Sequence, residues 1–301
     1  MRFPGSDVHR ALVRFSLAIS IVATVIVLLP SASPALAEDV APLVTRDVVY
    51  GDPKKPDSEL QSLDIYWKDN AKKRAVIIYV HDGGWAFGDK SDVHLKPNFF
   101  ALHDIAFVSM NYRLRWDYGL ADQAADIASV VKWVRGNAKQ YGLDPSRVIL
   151  MGHGAGAHLV SLVGTDAQYL KAKGLTLADI RSVVAIDTIS FDIPALMASD
   201  ASFVEKRRHR LIFGEDEAIL RAASPITYVA KGKQIPPFAL LYVNGSSAQQ
   251  SREFSRALRE ADVNVIMIPG NDKTSQSIDE ELGRPGDAPT LALIAFIRAT
   301  I

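Results

Sequence analysis

The chain has 301 residues, 48% of them hydrophobic, and its 34 basic residues balance 34 acidic ones. That length and apolar content suit one sizeable core, and the charge balance excludes the electrostatic footprint of a nucleic-acid binder. Cysteine is absent, which excludes disulfides, thiolate metal sites and a cysteine nucleophile.

Residues 1–37 read as a secretory signal peptide. Arg2, Arg10 and Arg14 precede the apolar run Phe15 to Leu29, and Ala35 and Ala37 form a small-residue cleavage site before Glu38. The run falls short of the roughly 20 residues of a membrane span. A secreted or periplasmic mature chain is therefore expected, with an uncleaved N-terminal anchor as the alternative. Cleavage removes three arginines and Asp7, leaving two more acidic than basic residues.

Thr45 to Tyr50 and Gln61 to Trp67 alternate apolar and polar residues, which predicts half-buried antiparallel strands joined by the turn Asp52 to Pro56. Ala75 to Val80 is a β-branched run fit for a central strand covered on both faces. It ends in the glycine-rich loop His81-Asp-Gly-Gly-Trp-Ala-Phe-Gly-Asp-Lys90. Ile105 to Met110 is another buried strand. Ala121 to Tyr141 carries a helical stripe of Ala124, Ile127, Val130, Val131 and Val134, stopped by Gly142.

Val148 to Met151 then reads as a buried strand, Gly152 to Gly156 as a sharp turn, and Ala155 to Gly164 as a helix. Val183 to Ile186, Pro236 to Val243 and Val263 to Ile268 are further strands. Helices over Ala248 to Ala261 and Pro289 to Ala299 flank them. The alternation predicts a mostly parallel sheet with helices on both faces. Residues 191–233 have weak periodicity and read as a small cap within one domain spanning 38–301.

A strand, a G-x-x-x-G turn and a helix describe a nucleophile elbow, whose middle residue is normally serine. Here it is Gly154. His81-Asp-Gly-Gly-Trp85, Gly88-Asp-Lys90, Asn111-Tyr-Arg-Leu114, Asp144-Pro-Ser-Arg-Val148 and the tail Ser277 to Asp287 stand around it in order. Together these resemble the carboxylesterase branch of the α/β-hydrolases, close to the hormone-sensitive-lipase-like and feruloyl-esterase-like enzymes. The resemblance implies an α/β-hydrolase fold and a serine carboxylesterase, an acyl ester hydrolase, with its triad in the order Ser, acid, His. It also implies an oxyanion hole made by the backbone N–H groups of Gly83, Gly84 and Ala155.

The triad transfers badly. The serine position is Gly154. The acid position falls in Asn244 to Gln250, which holds no carboxylate, and aligns with Ser246 or, nearly as well, Ser247. The histidine position, after the last strand, is Ser275, and the last histidine anywhere in the chain is His209. Gly154 suits a left-handed turn without the steric cost a side chain would bring, so the scaffold can outlive the chemistry.

His153 and His158 flank the elbow and are expected to pack or hydrogen-bond beneath it; His81 is expected to brace the oxyanion loop. His94, His103 and His209 read as surface or cap residues, and no pair has metal-ligand spacing with a carboxylate partner. Asp82 replaces a family glycine, either as a solvated loop acid or as a charge facing the pocket and opposing an oxyanion. Gly152 to Gly156 does not have G-x-G-x-x-G spacing, so a dinucleotide loop is disfavoured and no cofactor is expected.

The expectation is a secreted carboxylesterase-like pseudoenzyme that binds a small apolar or ester-like ligand, or a protein partner, with no nucleic-acid partner. The alternative is an active ester hydrolase with a non-standard catalytic arrangement.

Overall fold

The structure, a computed structural model, describes residues 41–54, 58–69 and 73–301. The expected signal peptide at 1–37 and part of the turn at 52–56 lie outside the described residues. Eight strands form one sheet: β1 (Leu43–Val49), β2 (Ser62–Trp67), β3 (Arg74–Val80), β4 (Ala106–Met110), β5 (Leu143–His153), β6 (Ser182–Ile186), β7 (Phe238–Tyr242) and β8 (Val265–Pro269). Their order across the sheet is β1-β2-β4-β3-β5-β6-β7-β8. β1 and β2 are antiparallel at one edge, and the strands from β4 to β8 run parallel.

The helices are α1 (Lys96–Leu102), α2 (Leu120–Tyr141), α3 (Ala155–Thr165), α4 (Ala167–Lys171), α5 (Ile193–Ala198), α6 (Phe203–Phe213), α7 (Glu217–Ala222), α8 (Ser246–Glu260), α9 (Ser275–Glu280) and α10 (Ala288–Thr300). Strand alternation splits the core in two. Val76, Ile78 and Val80 of β3 pack with Val130, Val134 and Leu159 of α2 and α3, while Ile77 and Tyr79 pack with Phe100, Phe107, Leu293 and Ile297. Every residue of β3 is buried, as a strand covered on both faces requires. Among the described residues no helix is long and apolar enough to cross a membrane.

The expected cap resolves into three short helices, α5 to α7, inside 191–233. Two helices near the site carried no helical signal in the sequence, α1 and α9. Lys96 of α1 pairs with Asp279 of α9 at 2.8 Å, and Tyr79 donates to the same carboxylate at 2.9 Å. All three side chains are buried; burial pushes the Lys96 ammonium down against the pull of Asp279. Removing one partner of such a pair strands a buried charge, at about 3–5 kcal/mol. The contact fixes α9, whose first residue is Ser275.

Register then sets the site. Val80 pairs with Gly152, and His153 with Ile186. The loops leaving β3, β5 and β6 therefore emerge side by side at the carboxyl edge of the sheet, where open α/β sheets hold ligands.

Candidate active-site cavity

The chain passes from β5 into α3 through Gly154, at φ 53° and ψ −111°. L side chains rarely adopt this backbone. Two residues on, a Cβ at Gly156 would lie 2.0 Å from the Val80 carbonyl oxygen. Glycine there lets α3 press against the end of β3, which brings the elbow against the loop His81 to Lys90.

That loop is braced from behind. The His81 Nδ1–H donates to the Asp82 carbonyl at 2.5 Å, and the ring stacks on Tyr112 at 4.5 Å. The Tyr112 hydroxyl donates to the His81 carbonyl at 3.2 Å. Gln123 of α2 donates to the carbonyls of Trp85 and Arg113 at 2.8 and 2.9 Å. Arg113 in turn forks onto Asp126. The stretch Asn111 to Leu114 thus acts as a strut for the loop.

Held this way, Asp82 points into the elbow. Its Oδ1 accepts the backbone N–H of Ala155 at 2.8 Å and of Gly84 at 3.2 Å. A Cβ on Gly154 would lie 2.3 Å from Asp82 Cγ. The carboxylate therefore occupies the space of a nucleophilic side chain and engages the expected oxyanion donors Gly84 and Ala155. Burial pushes its carboxyl up, but neighbouring His153 and the N–H groups of Ala155, Gly83 and Gly84 outweigh burial and hold it below the usual range. Asp82 is thus a charged group facing the cavity, not a solvated loop acid.

A cavity of about 260 Å³ opens here, and Gly154, Ser246 and Ser275 all line it, with Gly84 and Ala155. Gly83 lies instead on the neighbouring cavities that Asp82 also borders. Ser246 is the first residue of α8 and bonds the Glu205 side chain from the cap. The next residue, Ser247, donates to Asp187 at 2.5 Å, and Asp187 also accepts the N–H of Val243 at 3.0 Å. A carboxylate does stand beside the expected acid position, then, although the segment 244–250 has none. It comes from the end of β6, the neighbouring strand, and the sequence reading missed it; the only signal was an acid directly after a short apolar strand.

The remaining histidines divide. His158 is buried, accepting from Trp85 Nε1 at 3.0 Å and donating from Nε2 to the Ala223 carbonyl at 2.8 Å. Burial pushes it down to about 4. His153 Nε2 is buried without a hydrogen-bond partner among the described residues. His94 is exposed, 3.9 Å from Glu280, and half-buried His103 lies 3.0 Å from Arg298. His209, expected at the surface or in the cap, lies on α6 within 191–233 and is buried there, at 1% exposed. α6 turns that face inward onto Trp85 and Phe213, whose rings lie 5.7 and 5.8 Å away. There His209 Nε2 lies 2.8 Å from Ser190 Oγ, and Nδ1 lies 2.8 Å from the Glu205 carbonyl.

A second cavity of about 430 Å³ adjoins the first, sharing Asp82, Gly84 and Arg208 with it. Its walls include Phe87, Trp116 and Leu211, which are 65%, 68% and 69% exposed. Three large apolar side chains this open form a patch of the kind that marks ligand contact.

The BD-FAE family model matches residues 63–258. Esterase LipQ of Mycobacterium tuberculosis is 28% identical over 237 residues, covering 72% of this chain and 53% of that protein. The probable isoprenylcysteine alpha-carbonyl methylesterase ICMEL1 of Arabidopsis thaliana is 30% identical over 135 residues, covering 44% of this chain and 27% of that protein. The chain spans about half the length of the first of these relatives and less of the second. Among solved structures, a truncated carbohydrate esterase from gut microbiota aligns with a TM-score of 0.71 at 19% identity, covering 88% of this chain and 98% of that one. An inhibited esterase B from Lactobacillus rhamnosis aligns at 0.70 and 22% identity, covering 87% and 88%. At these identities the two structures speak for the α/β-hydrolase fold alone.

Proposed function

Because the chain belongs to the BD-FAE family, on the carboxylesterase-like side of the α/β-hydrolases, we propose that it keeps the family's cavity but has lost its elbow chemistry. It then acts by binding a small apolar or ester-like ligand. One observation supports this above the rest: the Asp82 carboxylate bonded to the N–H groups of Gly84 and Ala155. Ester cleavage at an elbow needs such donors aimed at the oxygen that becomes negative in the transition state. Here they already hold a negative charge, the serine is Gly154, and no histidine follows His209 in the chain.

The ligand part of the reading draws on the adjoining groove. Phe87 and Trp116 meet edge to face at 6.1 Å, offering an acyl or aromatic group an apolar bed beside the polar cavity. Hydrolysis of p-nitrophenyl butyrate by the mature protein is the test of lost chemistry. Turnover should fall on the order of 10⁶ below that of an intact triad, and Ser246→Ala and Ser275→Ala should leave any remainder unchanged. Ordinary esterase turnover would sink this part. Binding is read separately, from Trp116 fluorescence on titration with N-butyryl-4-nitroaniline. Saturable quenching that Trp116→Phe removes is expected; its absence would sink the binding part.

A further inference from the structure

In the cavity that the elbow lines, the loop after β6 and helix α6 bring a hydroxyl and an imidazole together. We infer that Ser190 and His209 form a second, non-elbow nucleophile–base pair, through which Ser190 accepts an acyl or phosphonyl group from an activated ester held in the cavity. This inference rests on the reading that the cavity admits ester-like ligands.

The protonation pattern follows from the partners. The Glu205 carbonyl can only accept, so His209 Nδ1 carries the hydrogen of the neutral ring. Nε2 is then bare, and Ser190 Oγ–H must be the donor across 2.8 Å. Burial, foremost, holds the imidazole below its ordinary range, despite the Glu205 carbonyl and with a smaller push in the same direction from the Arg208 cation. A hydroxyl donating to a neutral imidazole, itself oriented by a third group, is the arrangement that activates serine. Both residues line the cavity that holds Gly154, Ser246 and Ser275. Arg208, beside His209 on α6, lines it as well, and no ion pair engages it among the described residues. Its cation can offset a developing oxyanion that Asp82, on the elbow side, would oppose.

Ser190 Oγ attacks the carbonyl carbon while its proton passes to His209 Nε2. The tetrahedral oxyanion collapses, the bond to the leaving alkoxide breaks, and that alkoxide takes the proton from His209. The products are acyl-Ser190 and one alcohol or phenol. With a fluorophosphonate, Oγ displaces fluoride and the proton leaves with it. The third group here is a carbonyl and not a carboxylate, so it orients the ring without stabilising the imidazolium. Acylation should therefore be slow beside that of a full triad.

The test is labelling of the mature protein with a fluorophosphonate, followed by peptide mapping. One equivalent should appear on the segment between Arg181 and Lys206, localised to Ser190 by fragmentation. His209→Gln, which keeps a hydrogen-bonding side chain but no base, should slow labelling by about 10² or more. If that variant does not fold, Arg208→Ala is the second comparison, with slower labelling expected. An adduct on another residue, no adduct, or a rate indifferent to both variants would overturn the inference. Failure to label while N-butyryl-4-nitroaniline still binds would leave the binding reading standing. Ordinary ester turnover that survives Ser190→Ala would overturn the lost-chemistry reading and leave Ser190 without a role in it.

Discussion

Asp82 and Gly154 exclude each other's alternatives: the Asp82 carboxylate stands where a Gly154 side chain would go, with 2.3 Å between Cγ and the position of that Cβ. Neither residue can be reverted alone without consequence. Gly154→Ser adds a contact no packed core tolerates, and places a side chain on a positive-φ backbone. Together these should destabilise the fold by about 2–4 kcal/mol. Asp82→Gly removes the obstruction, so the double variant should be more stable than the sum of the singles by about 0.5–3 kcal/mol. A double-mutant cycle by urea denaturation measures the coupling. Strict additivity would mean that the two residues do not share the space described.

His158 gives stability a pH dependence with a definite sign. Its folded value is pushed down to about 4, against about 6.5 unfolded. Between those values the unfolded chain binds the extra proton, so stability falls as pH drops from about 6.5 toward 4 and levels below. A single group can contribute about 3 kcal/mol across that window. His158→Gln keeps an acceptor for Trp85 Nε1 and a donor for the Ala223 carbonyl, but does not titrate. Chemical denaturation at pH 7 and pH 4.5 should show a smaller loss for the variant than for the parent. An equal loss would mean that His158 is not held neutral.

The regular elements near the site were legible because their signals are local. β3 is a β-branched run and is buried along its whole length; α2 carries its stripe and stops at Gly142, whose φ is 62°. The elbow announced itself through glycine spacing. What could not be read depends on partners far apart in sequence. α9 takes its place from an ion pair between residues 183 positions apart. Asp187 reaches the acid position from a different strand, and its bond to Ser247 spans 60 residues. His209 sits among Arg207, Arg208 and Arg210, a context that reads as solvated surface; only the inward turn of α6 onto Trp85 buries it. Asp82 was legible as a departure, but its placement in the elbow required the register of β3 against β5.

The N-terminal reading makes a prediction about compartment. Protein recovered from a secreting bacterial host should begin at Glu38, after Ala35-Leu36-Ala37. Mass spectrometry of the intact chain decides it. A full-length chain starting at Met1 in the membrane fraction would favour an anchor instead.

Building a triad at these positions tests whether the scaffold can carry elbow chemistry. A triad acts as a unit, so restoring one member should gain almost nothing. Gly154→Ser supplies an oxygen without a histidine at position 275, and it collides with Asp82; Ser275→His supplies that histidine with nothing at position 154 to activate. Asp82→Gly must therefore accompany them, since it frees both the serine's space and the N–H groups of Gly84 and Ala155. The triple variant should form a Ser–His dyad, because positions 154 and 275 line one cavity. Its acid is the open term. Asp187 is near but engaged by Ser247 and the N–H of Val243, so it will orient the new imidazole poorly. Losing that orientation costs about 10⁴ in turnover in serine proteases. Adding Ser246→Asp should recover part of it. Hydrolysis of p-nitrophenyl butyrate should rise weakly in the triple variant and clearly in the quadruple one, with fluorophosphonate labelling appearing at position 154. A quadruple variant that folds, binds N-butyryl-4-nitroaniline and still hydrolyses no faster than the parent would show that positions 246 and 275 do not face the elbow as a triad requires.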